Sequence, residues 1–215
     1  MIALRPGVLR SVLAIGAHSD DIEIGCGGTL LAIARANPGC TFTWLVMTGD
    51  DARAEEARAS ARAFLPGAAT RLVTGGLRDG HLPYADASAG KDLIHRVRDE
   101  AAPDLVLTHR RADMHQDHRF CGDVAHQAFR GILTLEYEIP KYDGDLGAPN
   151  LLVPVTEQDA RRKVDHLMAH FASQRSKGWF TEDVFWGLMR LRGIEAASDT
   201  GFAEGFDARK LTLLP

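Results

Sequence analysis

Hydrophobic and polar positions along the chain fall into blocks, with short apolar runs separated by longer segments of helix-forming composition. The apolar runs have the length of buried strands and are rich in β-branched and aromatic residues. The clearest are Val12–Ile15, Thr41–Met47, Asp104–Thr108 and Thr134–Ile139. The segments between and after them predict helices: Thr29–Ala36, Ala52–Phe64, Lys91–Ala101, Gly122–Arg130, Glu157–Phe171 and a helix around Val184–Arg192.

Strands that alternate with helices favour a parallel sheet covered on both faces. Arg71–Val73 and Leu151–Val153 predict two further short strands, and Gly75–Ala89 predicts a long loop. The aromatic and acidic tail, Gly201–Phe206, is expected to fold back onto the body. The predicted fold class is α/β, with a Rossmann-like, mostly parallel sheet and helices on both faces. The 215 residues contain no repeat or linker, so one domain spanning residues 1–215 is expected.

Composition narrows the class of protein further. The net charge is −4 and no basic tract is present, so a nucleic-acid partner is not expected. No apolar run approaches the roughly 20 residues of a membrane span, and the N-terminus has no signal-peptide pattern. The three cysteines form neither a disulfide framework nor a CxxC metal motif. A cytoplasmic protein with no membrane partner is expected, and a homo-oligomer remains open.

Two polar clusters directly follow two of the predicted strands. His18, Asp20 and Asp21 follow the strand within Ser11–Leu30, and Asp113, His115, Asp117 and His118 follow the strand that ends at Thr108. Parallel strands bring both clusters to the same edge of a sheet, where open α/β sheets bind ligands. Imidazoles and carboxylates are suitable ligands for zinc or iron, and a catalytic zinc needs about three of them plus an open position for water. Alone, either cluster is typical of a helix cap or a solvated loop; together they predict a mononuclear metal site.

Other candidate sites are weaker. His166 and His170 are spaced as a metal pair on a helix, but Leu167 breaks the HExxH pattern, which favours a packing or solvated role. Gly25–Gly28 matches neither a dinucleotide fingerprint nor a P-loop, so these glycines are expected to allow close packing and a tight turn. Cys26 is expected to be a small core residue.

The two clusters carry a specific resemblance. Ala17-His18-Ser19-Asp20-Asp21 resembles the AHPDD signature of the zinc-dependent PIG-L/LmbE deacetylase family, and His115-Gln116-Asp117-His118 resembles its HPDH motif. The segments Tyr142–Leu146 and Ser173–Arg175 are similar to those of bacterial members. Ser19 and Gln116 replace the usual prolines, and Ile22 takes a place often held by Glu, with Glu23 next. No ligand or catalytic group is lost by these changes.

The resemblance implies a role for each motif residue. His18, Asp21 and His118 would bind Zn²⁺, with Fe²⁺ as the alternative, and Asp20 would be the general base that activates the hydrolytic water. His115 would stabilise the oxyanion or protonate the departing amine, and Asp117 would orient His115. The predicted substrate contacts, near the presumed mouth of the site, are Arg53, Asp113 and Tyr142.

These assignments predict a metal-dependent amide hydrolase that removes the acetyl group from an N-acetylated amino sugar or sugar conjugate. A sugar-binding or regulatory module with a degenerate site is the alternative, and retention of all six motif residues argues against it. A phosphate-ester hydrolase is a third hypothesis, but cationic charge near the motifs is limited mainly to His109-Arg110-Arg111.

Overall fold

The computed structural model describes residues 7–211, and its centre is one seven-stranded sheet in the order β3-β2-β1-β4-β5-β7-β6. The strands are β1 (Ser11–Gly16), β2 (Thr41–Thr48), β3 (Ala69–Leu77), β4 (Leu105–His109), β5 (Leu133–Tyr137), β6 (Leu151–Val155) and β7 (Phe202–Ala208). Strands β1 to β5 are parallel to one another, whereas β7 runs antiparallel to both β5 and β6. The predicted α/β class with a mostly parallel sheet is confirmed.

Six α-helices and one short 3₁₀ turn (Ala172–Gln174) connect these strands within the described part of the chain. The helices are α1 (Asp21–Ala36), α2 (Asp51–Phe64), α3 (Ala87–Ala101), α4 (Gln116–Ala128), α5 (Glu157–His170) and α6 (Glu182–Glu195). Three of them begin at least four residues earlier than their composition predicts, and α3 does so at Ala87 rather than Lys91. Helix α1 begins at Asp21 and α4 at Gln116, so Asp21 and His118 stand in first turns of helices rather than in loops.

The alternation of side chains along the central strands divides the core into two layers. Val12 and Ala14 of β1 pack on one face of the sheet with residues of α1, α2, α5 and α6. Leu13 and Ile15 pack on the other face with residues of α3 and α4. Helices therefore cover both faces, as the pattern predicts.

The tail predicted to fold back does so as a strand. Residues Phe202–Ala208 form β7, which is inserted between β5 and β6. Its Glu204 is buried and accepts hydrogen bonds from the backbone N–H groups of Gly28 (2.8 Å) and Thr29 (2.7 Å). These N–H groups begin the second half of α1, after a kink at Cys26. A carboxylate at this point satisfies backbone donors that the kink frees.

The glycines of α1 allow neighbouring elements to approach closely, as predicted. A Cβ at Gly25 would overlap the ring of Tyr137 on β5, and one at Gly28 would crowd Val155 on β6. Both contacts hold α1 against the sheet, and Cys26 is fully buried.

Among residues 7–211, every helix is too short or too polar to cross a lipid bilayer.

Candidate active site

The two polar clusters meet at the carboxyl ends of β1 and β4. These strands are hydrogen-bonded neighbours. From β1 the chain passes to β2 on one side of β1, and it later returns to form β4 on the other side. At such a reversal of strand order, α/β proteins bind ligands in a crevice at the carboxyl ends of the strands. The prediction that both clusters share one edge of the sheet is confirmed.

Three donor atoms converge at the base of this crevice. His18 Nδ1 lies 3.2 Å from Asp21 Oδ2 and 3.1 Å from His118 Nε2, and His118 Nε2 lies 3.5 Å from Asp21 Oδ2. Donors bound at about 2.0–2.2 Å to one tetrahedral ion are separated by about 3.3–3.6 Å. The three atoms therefore have the spacing and the chemistry of a divalent metal site.

The charges around these donors favour a cation at the same place. Burial by itself would lower the pKa of His18, but Asp21, Asp117 and Asp79 raise it well above its ordinary value. Burial would likewise raise the pKa of Asp21, and the charges of His118, His109 and His18 hold it well below the usual range. The carboxylate is thus ionised and the crevice has a deficit of positive charge, which a metal ion would supply.

His118 has the protonation state expected of a ligand. Burial, together with His109, lowers its pKa to about 3, so the ring is neutral at ordinary pH. Its Nδ1 lies 3.0 Å from Asp113 Oδ2, and a proton on Nδ1 leaves a lone pair on Nε2, the atom that faces His18 and Asp21.

Asp20 lies beside the three donors without being one of them. It precedes α1 and is 4% exposed. Burial and the charge of Asp21 raise the pKa of Asp20 to about 6, against the opposing effect of His18 and Lys177. A carboxylate with a pKa in this range is suited to accept a proton near neutral pH.

His115 and Asp117 stand at the start of α4. The backbone N–H of Asp117 reaches His115 Nδ1 at 3.3 Å, so the ring proton is assigned to Nε2. Burial and His18 lower the pKa of His115. The Asp117 carboxylate was predicted to orient His115, but its oxygens accept hydrogen bonds from the N–H groups of Gly80 (2.7 Å) and Leu82 (3.0 Å). It thereby fixes the loop after β3 over the site.

Of the three predicted substrate contacts, Arg53 and Tyr142 reach the surface of the protein and Asp113 does not. Arg53 pairs with Asp79, and Tyr142 is 74% exposed, its hydroxyl accepting a hydrogen bond from Gly178 N–H at 2.9 Å. Asp113 is 2% exposed and lies behind His118, where it also accepts a 2.7 Å hydrogen bond from His115 N–H. Its placement fits a residue that orients the site rather than one that touches substrate.

Two residues that the structure brings to the site were not predicted from the sequence. His109 was named only for its charge near the motifs, but it is the fully buried last residue of β4, and its Nε2 lies 3.0 Å from Asp21 Oδ2. Asp79 was left in the long loop, but its Oδ1 lies 3.1 Å from His18 Nε2. For His109, the only signal in the sequence was the apolar run that ends at this residue. For Asp79, the sequence contained no signal.

The fold and the site together define an α/β protein with a His-Asp-His metal-type centre and an adjacent buried carboxylate. The family model described as PIG-L, GlcNAc-PI de-N-acetylase, matches residues 13–129, which contain every residue of both motifs. The uncharacterized deacetylase YaiS of Escherichia coli (strain K12) is 33% identical over 150 residues, covering 61% of this chain and 75% of YaiS. The chain belongs to the PIG-L (LmbE-like) deacetylase family.

Solved structures share the fold at lower identity. N,N'-diacetylchitobiose deacetylase from Pyrococcus horikoshii, complexed with its inhibitor MPG, has a TM-score of 0.69 at 23% identity, covering 94% of this chain and 84% of that one. GalB, the 4-carboxy-2-hydroxymuconate hydratase from Pseudomonas putida KT2440, has a TM-score of 0.76 at 18% identity, covering 96% and 98%. Since a deacetylase and a hydratase both have this fold, the fold alone does not define the reaction.

Proposed function

We propose that this protein is a metal-dependent N-deacetylase that hydrolyses the acetamide of an N-acetylated amino sugar or sugar conjugate. The observation that carries the proposal is the convergence of His18, Asp21 and His118 beside the buried carboxylate of Asp20. Family membership supports amide hydrolysis, and the GlcNAc-PI description of the family supports a GlcNAc-type substrate.

His18, Asp21 and His118 would hold the ion, which is Zn²⁺ by family resemblance, with Fe²⁺ as the alternative. When bound, a divalent ion lowers the pKa of water and polarises a carbonyl oxygen, the two demands of amide hydrolysis. The ionised Asp21 and the neutral His118 are already in the protonation states that a metal ligand requires.

Asp20 acts as the general base in this proposal. It takes a proton from the water that attacks the acetyl carbonyl carbon, and the same proton is then available for the nitrogen of the departing amine. Breakage of the C–N bond gives acetate and the free amino sugar. A base whose pKa is about 6 is ionised at pH 7 and still able to return the proton.

His115 stabilises the oxyanion in this proposal. Because Asp117 N–H occupies Nδ1, the Nε2 proton is free to point toward the carbonyl oxygen as negative charge develops there. The lowered pKa of His115 makes the neutral ring the donor. Loss of one such donor typically reduces turnover by about 10²–10³-fold.

The substrate would reach the site across a polar mouth. Arg53 and Asp79 present an ion pair beside His18, the charge of Lys177 acts on Asp20, and the hydroxyl of Tyr142 is bonded to Gly178, next to Lys177. Paired charges and a phenol are donors and acceptors that suit sugar hydroxyls. The mouth combines both signs of charge, which favours a neutral sugar over a polyanion.

An acetate-release assay tests the proposal. Metal-loaded protein is incubated with N-acetylglucosamine, its glycosides, N,N'-diacetylchitobiose and N-acetylated glycoconjugates, and acetate is measured with and without chelator. We expect chelator-sensitive release from at least one of these compounds and loss of release in Asp20→Asn. Protein that binds metal but releases no acetate from the whole panel would contradict the proposal.

A further inference from the structure

We infer that Lys141 and Asp145, in the loop after β5, are positioning residues that hold the metal ligand His118 through Asp113. The inference rests on the proposed function, since it assigns His118 to metal binding. We call these three residues, Asp113, Lys141 and Asp145, the clamp.

Asp113 connects the two histidines of the second motif. One carboxylate oxygen lies 3.0 Å from His118 Nδ1, and the other accepts the backbone N–H of His115 at 2.7 Å. The first contact fixes the ring plane of His118 and keeps its Nε2 lone pair directed at the convergence point. A carboxylate behind a ligating histidine has this effect in many metal sites.

Lys141 contacts the Asp113 oxygen that accepts the N–H of His115. Its Nζ lies 3.1 Å from Asp113 Oδ1 and donates to both oxygens of Asp145, at 2.7 and 2.6 Å. The side chains of the three residues are between 3% and 9% exposed. Ions this well buried interact strongly, and removal of one partner leaves the others uncompensated.

Asp145 fixes the clamp to the backbone. Its Oδ2 accepts the N–H of Met114 at 2.6 Å, and its carbonyl oxygen accepts Arg110 Nη1 at 2.9 Å. Both Met114 and Arg110 belong to the segment between β4 and α4 that precedes the second motif. The loop after β5 therefore helps to fix the backbone conformation of that segment.

The clamp connects an exposed loop to the metal ligand. Tyr142, next to Lys141, is exposed, whereas Asp113 is buried against His118. A change in the clamp is thus expected to alter the geometry of the ligand without removing any group that touches substrate. The effect falls on metal affinity and kcat more than on KM.

The test measures binding of the metal alone. Zn²⁺ affinity is determined by competition with a chromophoric chelator, and the visible spectrum of the Co²⁺-substituted protein reports ligand geometry. The variants are Lys141→Met, Lys141→Arg and Asp145→Asn. The matched control is Asp123→Asn, which removes an ion-pair partner of Arg111 on the exposed face of α4, at 2.6 Å.

We expect Lys141→Met to weaken Zn²⁺ binding by about 10- to 100-fold and to change the Co²⁺ spectrum. Asp145→Asn should also weaken Zn²⁺ binding and change the Co²⁺ spectrum. Lys141→Arg should bind Zn²⁺ more tightly than Lys141→Met, and the Asp123→Asn control should match the wild type. Wild-type affinity and spectrum in folded Lys141→Met or Asp145→Asn would overturn the inference. If the wild-type chain itself bound neither ion, the proposed function would fail instead, so the two failures are distinguishable.

Discussion

His109 Nε2 lies 3.0 Å from Asp21 Oδ2, at the buried end of β4. The same nitrogen accepts the backbone N–H of Ala17 at 2.9 Å, and the ring stacks on His118 with 3.9 Å between centroids and 15° between planes. His109 therefore contacts two of the three proposed metal ligands, Asp21 and His118. Its Nδ1 has no hydrogen-bond partner among residues 7–211.

His109→Phe keeps the aromatic stack on His118 and removes the nitrogen that faces Asp21. We expect Zn²⁺ affinity to fall by about 10- to 100-fold, because residues that orient a ligand have effects of this size. A chelator competition titration measures the change. His126→Phe is the control: the same substitution removes an imidazole of α4 that pairs with Glu136 and not with the three proposed ligands, so its Zn²⁺ affinity should stay close to wild type. Equal affinities in both variants would exclude a role for His109.

Asp20→Asn tests whether Asp20 is the general base or a metal ligand. The amide keeps the volume of the side chain but cannot accept a proton from water, so kcat should fall by at least about 10²-fold. Elemental analysis should still find one metal ion for each chain, since Asp20 is not among the three converging donors. Loss of the metal in this variant would instead make Asp20 a ligand, and unchanged turnover would refute its assignment as base.

Arg53→Ala tests the mouth of the site. Arg53 pairs with Asp79, which itself contacts His18, so its loss removes a donor and frees a carboxylate next to the substrate path. We expect KM for the acetylated sugar to rise by more than about tenfold, with a smaller change in kcat. Arg58→Ala removes the exposed pair with Glu55 on the same helix and should leave KM unchanged. An unchanged KM in Arg53→Ala would remove Arg53 from the substrate contacts.

The parts of the fold and site predicted from the sequence are those with a local signal. The apolar runs of β1, β2 and β4 define buried strands by length and composition. His18, Asp21 and His118 follow two of these strands directly, and parallel strands bring such residues together whatever else the chain does.

The remaining features depend on contacts distant in sequence. Strand β7 pairs with β5 and β6, and its Glu204 reaches the kink of α1, more than 170 residues away. Asp79 joins the site because Asp117 holds Gly80 and Leu82, and Asp113 is buried because Lys141 reaches it. His109 was not predicted as a site residue because a polar residue at the end of an apolar run is typical of a loop. None of these partners can be identified from local composition.

Gly25→Ala tests the approach of α1 to the sheet. A methyl group at Gly25 overlaps the Tyr137 ring, so we expect a loss of about 1–3 kcal/mol in the free energy of unfolding. Gly187→Ala, in α6, meets open space and should be neutral or stabilise by up to about 1 kcal/mol, because alanine favours helix. Urea unfolding monitored by circular dichroism compares the two. Equal effects would show that α1 can shift without penalty.

His166 gives the protein a defined sensitivity to acid. Its Nε2 lies 2.8 Å from the Ser60 hydroxyl, and its ring stacks on His170 and packs against Phe64, which confirms a packing role. Burial, with the charges of His170 and Arg162, lowers its pKa from 6.5 to about 3. Between these values the unfolded chain binds this proton and the folded chain does not. Protonation therefore favours unfolding, and stability falls as pH falls from about 6.5 toward 3.

His166→Gln keeps a hydrogen-bonding group near Ser60 but cannot titrate. We expect the variant to lose less stability than the wild type between pH 6.5 and pH 5, even if it is less stable than the wild type at pH 7.5. Urea unfolding at these pH values, on metal-free protein, measures the slope directly. His95→Gln, on α3 in the opposite layer, controls for the type of substitution. If His166→Gln retained the wild-type slope, the acid sensitivity would have to arise from other groups.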